Sequence, residues 1–290
     1  MKAEIEVLEP GLFSTIQDPG RNGFLKYGVP MSGVMDLYAA NMANLILRNK
    51  PDSAVLEITQ MGPKLKFSHP AKIAICGASL SPKINNYQIE NNKVYKIEAG
   101  DELSFGKRLL GCRAYLAISG GLKTERILKS RSWFEGITDN FKLVKNIKLS
   151  YESTNESKIE TNASIKFTSE YLVSKEIKVF PGPEFYLLSD KQQERLRSRN
   201  FSIDKNNNRM AIQLQEVMEN TLKPIITGPV LPGTVQLTPS GKLIVLMRDC
   251  QTTGGYPRVM HLSETGMNRI AQKIIGDSIS FAFLESVHFL

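Results

Sequence analysis

The chain has 290 residues and a formal net charge of +8, with 37 lysines and arginines against 29 aspartates and glutamates. That length holds one large or two modest domains, and 41% apolar with 23% charged residues is the balance of an ordinary globular protein. No apolar run reaches about 18 residues, and Met1-Lys2-Ala3-Glu4-Ile5-Glu6 lacks the apolar core of a signal peptide. No membrane partner is therefore expected, and a cytoplasmic location is.

Strand signals dominate in chain order. Lys2 to Val7 is the first. The stretch from Ser14 through Asp36 then reads as a long segment without regular structure, punctuated by Gly20, Gly23, Gly28 and Gly33 and carrying Asp18, Arg21, Lys26 and Asp36. Such a run is uncommon inside a compact domain unless it lines a site. Asp36 to Leu47 has the pattern of a helix, with Leu37, Ala40, Leu45 and Leu47 on its apolar side and Asn41 and Asn44 at the margin. Short strands follow at Ala54 to Thr59, Lys64 to Phe67, Lys72 to Cys76, Tyr95 to Ile97, Glu102 to Phe105 and Arg113 to Ile118.

Residues 146–169 are polar and rich in Ser, Thr and Asn, and read as a linker or exposed excursion between β domains at 1–145 and 170–290. In the second half, Ser189-Asp190-Lys191-Gln192 has the form of a capping box opening a helix through about Arg197, and another helix is expected from Ser263 to Ala271. Strands are expected at Ile177 to Phe180, Arg209 to Leu214, Thr234 to Leu237, Leu243 to Met247 and Ser278 to Phe283. Many short strands separated by turn signals indicate a mostly-β chain, barrel or sandwich. A weak echo links Ile97–Phe105 with Lys273–Phe281, each a Gly-Asp turn entering a strand.

Composition narrows the chemistry. Cys76, Cys112 and Cys250 are odd in number and widely spaced, His69, His261 and His288 are scattered, and no metal site is expected. The basic run from Lys191 to Arg209 carries Arg195, Arg197, Arg199 and Lys205 without interleaved aromatics, and Asp190, Glu194 and Asp204 dilute it. It reads as a solvated helix face, so no nucleic-acid partner is expected, although basicity favours an acidic partner or an anionic substrate. Neither G-x-G-x-x-G nor a P-loop motif occurs. The densest chemistry lies in Arg248-Asp249-Cys250-Gln251-Thr252-Thr253-Gly254-Gly255-Tyr256-Pro257-Arg258, where a Gly-Gly pair able to take positive φ adjoins charged and hydroxyl groups. The plain alternative is a hairpin with a capped, solvated turn. This segment and residues 18–36 are expected to line one cleft.

Both segments resemble the C-type component of bacterial 5-oxoprolinase, the biotin-dependent carboxyltransferase or allophanate hydrolase subunit 2 type of protein. The resemblance rests on Thr15-Ile16-Gln17-Asp18-Pro19-Gly20-Arg21, Gly28-Val29-Pro30, Ser32-Gly33-Val34-Met35-Asp36, Asn44, Leu56-Glu57-Ile58-Thr59 and Gly62-Pro63. It continues through Tyr115-Leu116-Ala117-Ile118-Ser119-Gly120-Gly121, Pro181-Gly182-Pro183, Asn208-Arg209-Met210, Pro232-Gly233-Thr234-Val235-Gln236 and Gln251-Thr252-Thr253-Gly254-Gly255-Tyr256-Pro257, in order over nearly the whole chain. It implies a cyclophilin-like β-barrel architecture in two linked barrel-type domains. It also implies partners, the B-type component of 5-oxoprolinase (allophanate hydrolase subunit 1 type) and its A-type component.

The activity implied is ATP-dependent opening of 5-oxoproline to L-glutamate, with ATP used at the level of the complex. The alternatives are a regulatory binding protein that antagonises a histidine-kinase inhibitor, and a biotin-dependent carboxyltransferase of urea carboxylase type. No biotinyl-lysine motif or carboxylase domain is present, which weakens the last. The chain departs from the pattern at Trp133, where threonine is common, and at Gly136-Ile137-Thr138-Asp139-Asn140, where Gly-Gly and Gly-Arg are usual. It departs again at Ala211, in place of glycine, and at Cys250, in place of histidine.

Opening a lactam with ATP requires a carboxylate to manage protons, cations for phosphate oxygens and an oriented carbonyl. The candidate catalytic carboxylates are Asp18, Asp36, Glu57 and Asp249. The candidate substrate-binding groups are Arg21, Asn44, Arg209, Gln251, Thr252, Thr253, Gly254, Gly255, Tyr256 and Arg258. Arg248 is a further candidate cation, and the backbone around Gly254 and Gly255 a candidate anion nest. Structural roles compete for several: an Asp18–Arg21 pair capping a loop, Asp36 as a helix N-cap, and Glu57 balancing a buried arginine. Arg248 and Asp249 are adjacent and should point to opposite faces.

Overall fold

The computed structural model describes residues 2–153 and 168–285. Two compact units are present, one of Met1–Arg21 with Ser32–Val173 and the other of Asn22–Met31 with Ser174–Leu290. No described helix is long and apolar enough to cross a membrane.

The first unit contains β1 (Lys2–Glu9), β2 (Phe13–Gln17), α1 (Leu37–Ile46), β3 (Val55–Thr59), β4 (Lys64–Phe67), β5 (Ala71–Ser79) and β6 (Lys83–Ile84). It continues with β7 (Tyr87–Gln88), β8 (Val94–Ile97), β9 (Glu102–Ser104), β10 (Leu110–Ile118), β11 (Lys148–Glu152) and α2 (Glu170–Val173). Two sheets result, ordered β11-β1-β4-β9-β6-β7 and β2-β3-β10-β5-β8. Strand periodicity places their shared core. Ala3, Ile5 and Val7 of β1 are buried with Leu65 and Phe67, and meet Ile16, Leu56, Ile58, Ile73 and Leu116 from the other sheet.

β5 and β10 are buried along almost their whole length because both of their faces are covered. One face joins that core. The other places Ala74, Cys76, Tyr115 and Ala117 against Ala39, Ala40 and Ala43 of α1. Small residues on the helix let it lie close to the sheet. At the bulge in this pairing Gly77 has φ +87°, and a Cβ there would stand 2.5 Å from the Arg113 carbonyl oxygen.

The second unit contains β12 (Glu176–Pro181), α3 (Asp190–Ser198), β13 (Asn200–Asn207), β14 (Ala211–Val217), β15 (Gly228–Pro229) and β16 (Thr234–Leu237). After these come β17 (Lys242–Leu246), β18 (Thr253–Gly254), β19 (Arg258–Leu262), α4 (Glu264–Ile270) and β20 (Ser278–Phe283). Seven strands close a barrel in the order β12-β19-β16-β17-β14-β13-β20, and β15 pairs with β18 as a separate ribbon. An odd number of strands cannot alternate in direction around a ring, and the parallel step falls between β12 and β20. Alternate residues are buried: Ile177 and Val179, Ile203, Ile212 and Leu214, Leu243 and Val245, Ile279 and Phe281.

The chain is thus mostly β with a closed barrel and few short helices, as the sequence indicates, and the first unit encloses its core between two sheets. The three expected helices form, two with their expected caps: Asp36 accepts from the Ala39 N–H, and Ser189 and Gln192 complete a capping box; in the third, Ser263 lies outside the helix as its N-cap and accepts from the Gly266 N–H. The Gly-Asp echo is a shared turn. Asp101 and Asp277 each accept, through Oδ2, from the backbone N–H three residues earlier (Glu98 and Ile274), beside Gly100 and Gly276 at φ +93° and +83°.

Three expectations need correction. The segment from Ser14 is not irregular throughout, because residues up to Gln17 belong to β2, paired with β3. The basic run from Lys191 is helical only to Ser198, after which Asn200–Asn207 enters the barrel. The expected linker begins as sheet, since Lys148–Glu152 pairs with β1. Residues 154–167 of that segment lie outside those described.

Gly182 of the Pro-Gly-Pro motif sits against β19, where an added Cβ would be 2.1 Å from the Arg258 carbonyl oxygen. Gly182→Ala is predicted to cost about 1–3 kcal/mol in denaturant titration. Gly228→Ala, whose Cβ would meet nothing closer than 3.7 Å, should change stability by less than about 0.5 kcal/mol.

Candidate functional site

In the first unit the sequence places its polar residues deep inside. Asp18, at the end of β2, is 4% exposed and takes a full set of donors. Its Oδ1 accepts from the hydroxyls of Ser130 (2.5 Å) and Ser132 (2.8 Å) and from the Gly20 N–H (2.9 Å), while Oδ2 accepts from the Arg131 N–H (2.6 Å). The carboxylate therefore ties the glycine-rich segment to residues 130–132. Arg21 is fully buried, and its guanidinium donates to the Ser132 carbonyl. Asp18 and Asn44 both line a small cavity of about 10 Å³, room for one water. The Asn44 side chain donates to the Ser53 carbonyl (2.9 Å) and accepts from Asn49 (2.9 Å).

Asp36 and Glu57 lie in one buried network. Glu57 Oε2 accepts from the Met35 N–H (2.8 Å) and the Tyr115 hydroxyl (3.0 Å), and Oε1 is 3.9 Å from Arg113 Nε. The Tyr115 hydroxyl accepts in turn from the Asp36 N–H (2.8 Å). Asp36 caps α1 through Oδ1, and its Oδ2 accepts from the Tyr171 hydroxyl (2.8 Å). Burial, reinforced by Glu57 and Asp36, pushes the Tyr115 phenol well up; burial and Asp36 do the same to Tyr171. Both phenols are therefore fixed as donors. Burial first, and then the Asp36 charge, pushes the Cys76 thiol up to about 12.

In the second unit each candidate arginine has a carboxylate. Arg209 grips Asp249 with two bonds, Nε to Oδ2 at 2.7 Å and Nη2 to Oδ1 at 3.0 Å. Arg258 grips Glu184 likewise, at 2.9 and 2.7 Å, and its backbone N–H donates to the same carboxylate (2.8 Å). Arg248 pairs with Glu264. Arg248 and Asp249 thus take separate partners, as their adjacency suggests. The two forked pairs bracket Cys250 to Pro257.

Between the brackets, Thr253 and Gly254 form β18, facing Pro229 and Gly228. Neither Gly254 nor Gly255 has positive φ, which corrects the expected anion nest. Gly254 lies close to the end of the Gln236 side chain: a Cβ there would stand 2.5 Å from Gln236 Nε2, which would have to shift. Thr253 is exposed, Tyr256 is 39% exposed, and Gln251, Thr252 and Gly255 are half-buried. Cys250 is 3% exposed, and burial followed by the Asp249 charge pushes its thiol up to about 12. A thiol in that state cannot take over the acid–base work of a histidine near neutral pH.

Sequence reasoning missed Ser130, Ser132, Tyr171 and Glu184. The serines and Tyr171 lie more than a hundred residues from their partners, and no local pattern marks Glu184. The first glycine-rich segment is divided between the units: Asp18, Arg21 and Asp36 belong to the first, whereas residues 22–31 count with the second, as does Arg248 to Arg258.

The profile of the family described as "Carboxyltransferase domain, subdomain A and B" matches residues 27–283. The C component of 5-oxoprolinase from Escherichia coli is 28% identical over 284 residues, covering 96% of this chain and 90% of that protein. "Urea amidolyase" of Lachancea kluyveri is 45% identical over 130 residues, which are 44% of this chain and 7% of that protein. The crystal structure of TTHA0988 has a TM-score of 0.85 at 24% identity, a likeness of fold. The match takes in 97% of this chain and 56% of the solved chain.

Pairing and burial can each be tested in solution. Bonds from Arg258 hold the Glu184 carboxyl below the usual range, so the pair stabilises fully above about pH 4.3 and is lost as pH falls through the depressed value. Glu184→Gln should lower the thermal midpoint at pH 7, and the gap from wild type should narrow on acidification below about pH 4. Cys76 and Cys250 should resist an aromatic disulfide reagent at pH 8 in the native protein and react fully once it is denatured. Rapid native labelling of either, located by mass spectrometry, would refute their burial.

Proposed function

We propose that this chain, which belongs to the carboxyltransferase-domain family of subdomains A and B, is one component of an ATP-dependent 5-oxoprolinase that opens 5-oxoproline to L-glutamate together with the A and B components of that enzyme. The observation that carries this reading is the end-to-end match to the C component of 5-oxoprolinase, over 96% of the chain and 90% of the relative. An alignment of that extent takes in both glycine-rich segments in one polypeptide.

The geometry supports a division of labour. Opening the lactam is uphill unless ATP phosphorylates the amide oxygen, after which water attacks the activated carbon and phosphate leaves. Arg209, Arg248 and Arg258 are each committed to a carboxylate, so this reading assigns nucleotide chemistry to the partner components. Asp18, Asp36 and Glu57 are at most 4% exposed and carry their own donors, which makes them positioning groups in this reading. The groups left to meet a ligand are Gln251, Thr252, Thr253 and Tyr256, on a segment held at both ends by forked ion pairs. Such a segment loses little further freedom on binding.

A second reading, carboxyl transfer, is favoured by the higher identity to urea amidolyase, 45% across 130 residues. Reconstitution separates the two. The purified chain alone should show no 5-oxoproline-dependent phosphate release, and activity should appear when the A and B components are added. Gln251→Ala is expected to lower turnover of the complex by about tenfold or more with an unchanged thermal midpoint. Turnover by the chain alone, or by the other two components without it, would overturn the proposal. Consumption of carboxybiotin with urea, and none of 5-oxoproline, would establish the second reading.

A further inference from the structure

β15 and β18 are two residues each, and among the described strands they pair only with each other. Two bonds lengthen this ribbon, from the Val230 N–H to the Thr252 carbonyl (3.1 Å) and from the Ile225 N–H to the Gly255 carbonyl (2.9 Å). A two-stranded ribbon is marginally stable at best in water, so its hold on the barrel decides how firmly Gln251 to Tyr256 is placed. The forked pairs of Asp249 and Arg258 fix the two ends of the segment. Between them lie Gly254 and Gly255, neither at positive φ, and glycine has more backbone freedom to lose than any other residue.

The outer face of β16 and β17 provides the seat. Gln236 and Ile244 stand opposite each other in register and alternate with Val235, Leu237, Leu243 and Val245, which fill the barrel. On that face Val230, Leu246 and Cys250 form a small apolar cluster, with Ile244 packed against it. Gln236 adds the polar contact. It is 2% exposed, its Nε2 donates to the Tyr256 carbonyl at 3.4 Å, and a Gly254 Cβ would meet the same nitrogen. One carboxamide therefore touches the segment on both sides of Gly255. The next residue of β16 adds a backbone bond, from the Leu237 N–H to the Pro257 carbonyl (3.0 Å). From this arrangement we infer that Gln236 is a positioning residue: it seats the Gly254-Gly255 pair on the barrel and so sets where Thr252, Thr253 and Tyr256 stand. It acts on a ligand through that segment. The consequence for turnover rests on the 5-oxoprolinase reading, and the seating does not.

Gln236→Leu removes the donor and keeps an apolar body of similar size; Gln236→Met, closer in length, serves if the first variant folds poorly. In the purified full-length variant, hydrogen exchange read by mass spectrometry should be about fivefold faster at residues 252–256 and unchanged in the first unit. The thermal midpoint should stay within about 3 °C of wild type. An added Cβ at Gly255 would meet nothing closer than 3.6 Å. Adding Gly255→Ala to the variant should therefore slow exchange again, by about threefold, because alanine has fewer open conformations to visit. In the complex assembled with the A and B components, Gln236→Leu should lower kcat about tenfold with KM within about twofold, since alignment is lost and not affinity. Unchanged exchange at residues 252–256 would overturn the seating, and faster exchange with unaltered kcat would overturn the positioning role. A wild-type complex that does not turn over 5-oxoproline would overturn the reaction proposed above and leave the seating to be decided by exchange alone.

Discussion

Glu57 is a carboxylate with no exposure, set inside a strand, and the first unit is arranged around answering it. An ion in that position costs several kcal/mol unless donors meet its oxygens. The donors come from the chain just before α1 and from β10. Because Met35 supplies one of them, meeting Glu57 also sets where the helix begins, since Asp36 is the next residue and its N-cap. The same tyrosine that donates to Glu57 accepts from the Asp36 backbone, and Asp36 then receives Tyr171 from α2. One buried charge thus holds a loop end, a helix start, two strands and a second helix in register. The alanines of α1 complete the arrangement by letting the helix approach close enough for these bonds to form.

The second unit manages charge differently. Its barrel interior is apolar, and its acidic and basic groups meet at strand ends, in forked arginine–carboxylate pairs that fix direction as well as distance. Two of these pairs stand on either side of a segment that keeps polar groups accessible. Rigidity there comes from the brackets and from pairing with β15, while the hydroxyls and amide between them remain free to face outward. Polar groups on a fixed frame lose little freedom when they are engaged.

Much of this was legible in the sequence. Two helices announced themselves through caps, because Asp36 and Ser189 each precede a segment whose N–H groups need acceptors. The long buried strands β5 and β10 were visible as apolar runs. β2 was hidden by the glycines that follow it, and β13 by a basic composition that suits a helix face equally well. The candidate carboxylates stood out in the sequence, but their structural setting depended on partners remote in sequence: Ser130 and Ser132 for Asp18, Tyr115 and Arg113 for Glu57, Arg209 for Asp249. Local pattern cannot reveal such pairings. Gly254 is instructive in the same way, since glycine was read as a need for positive φ, whereas its φ is not positive and its close neighbour is the end of the Gln236 side chain.

The interleaving of the two units has a consequence for how the chain comes to be folded. Residues 22–31 count with Ser174–Leu290 although they are made near the start. During synthesis the first unit can assemble on both sides of this excursion, whereas the excursion itself must wait for the last-made half. Contacts of such long sequence separation are slow to close. They also make the polypeptide indivisible: a cut after Val173 leaves a ten-residue piece of the second unit attached to the first.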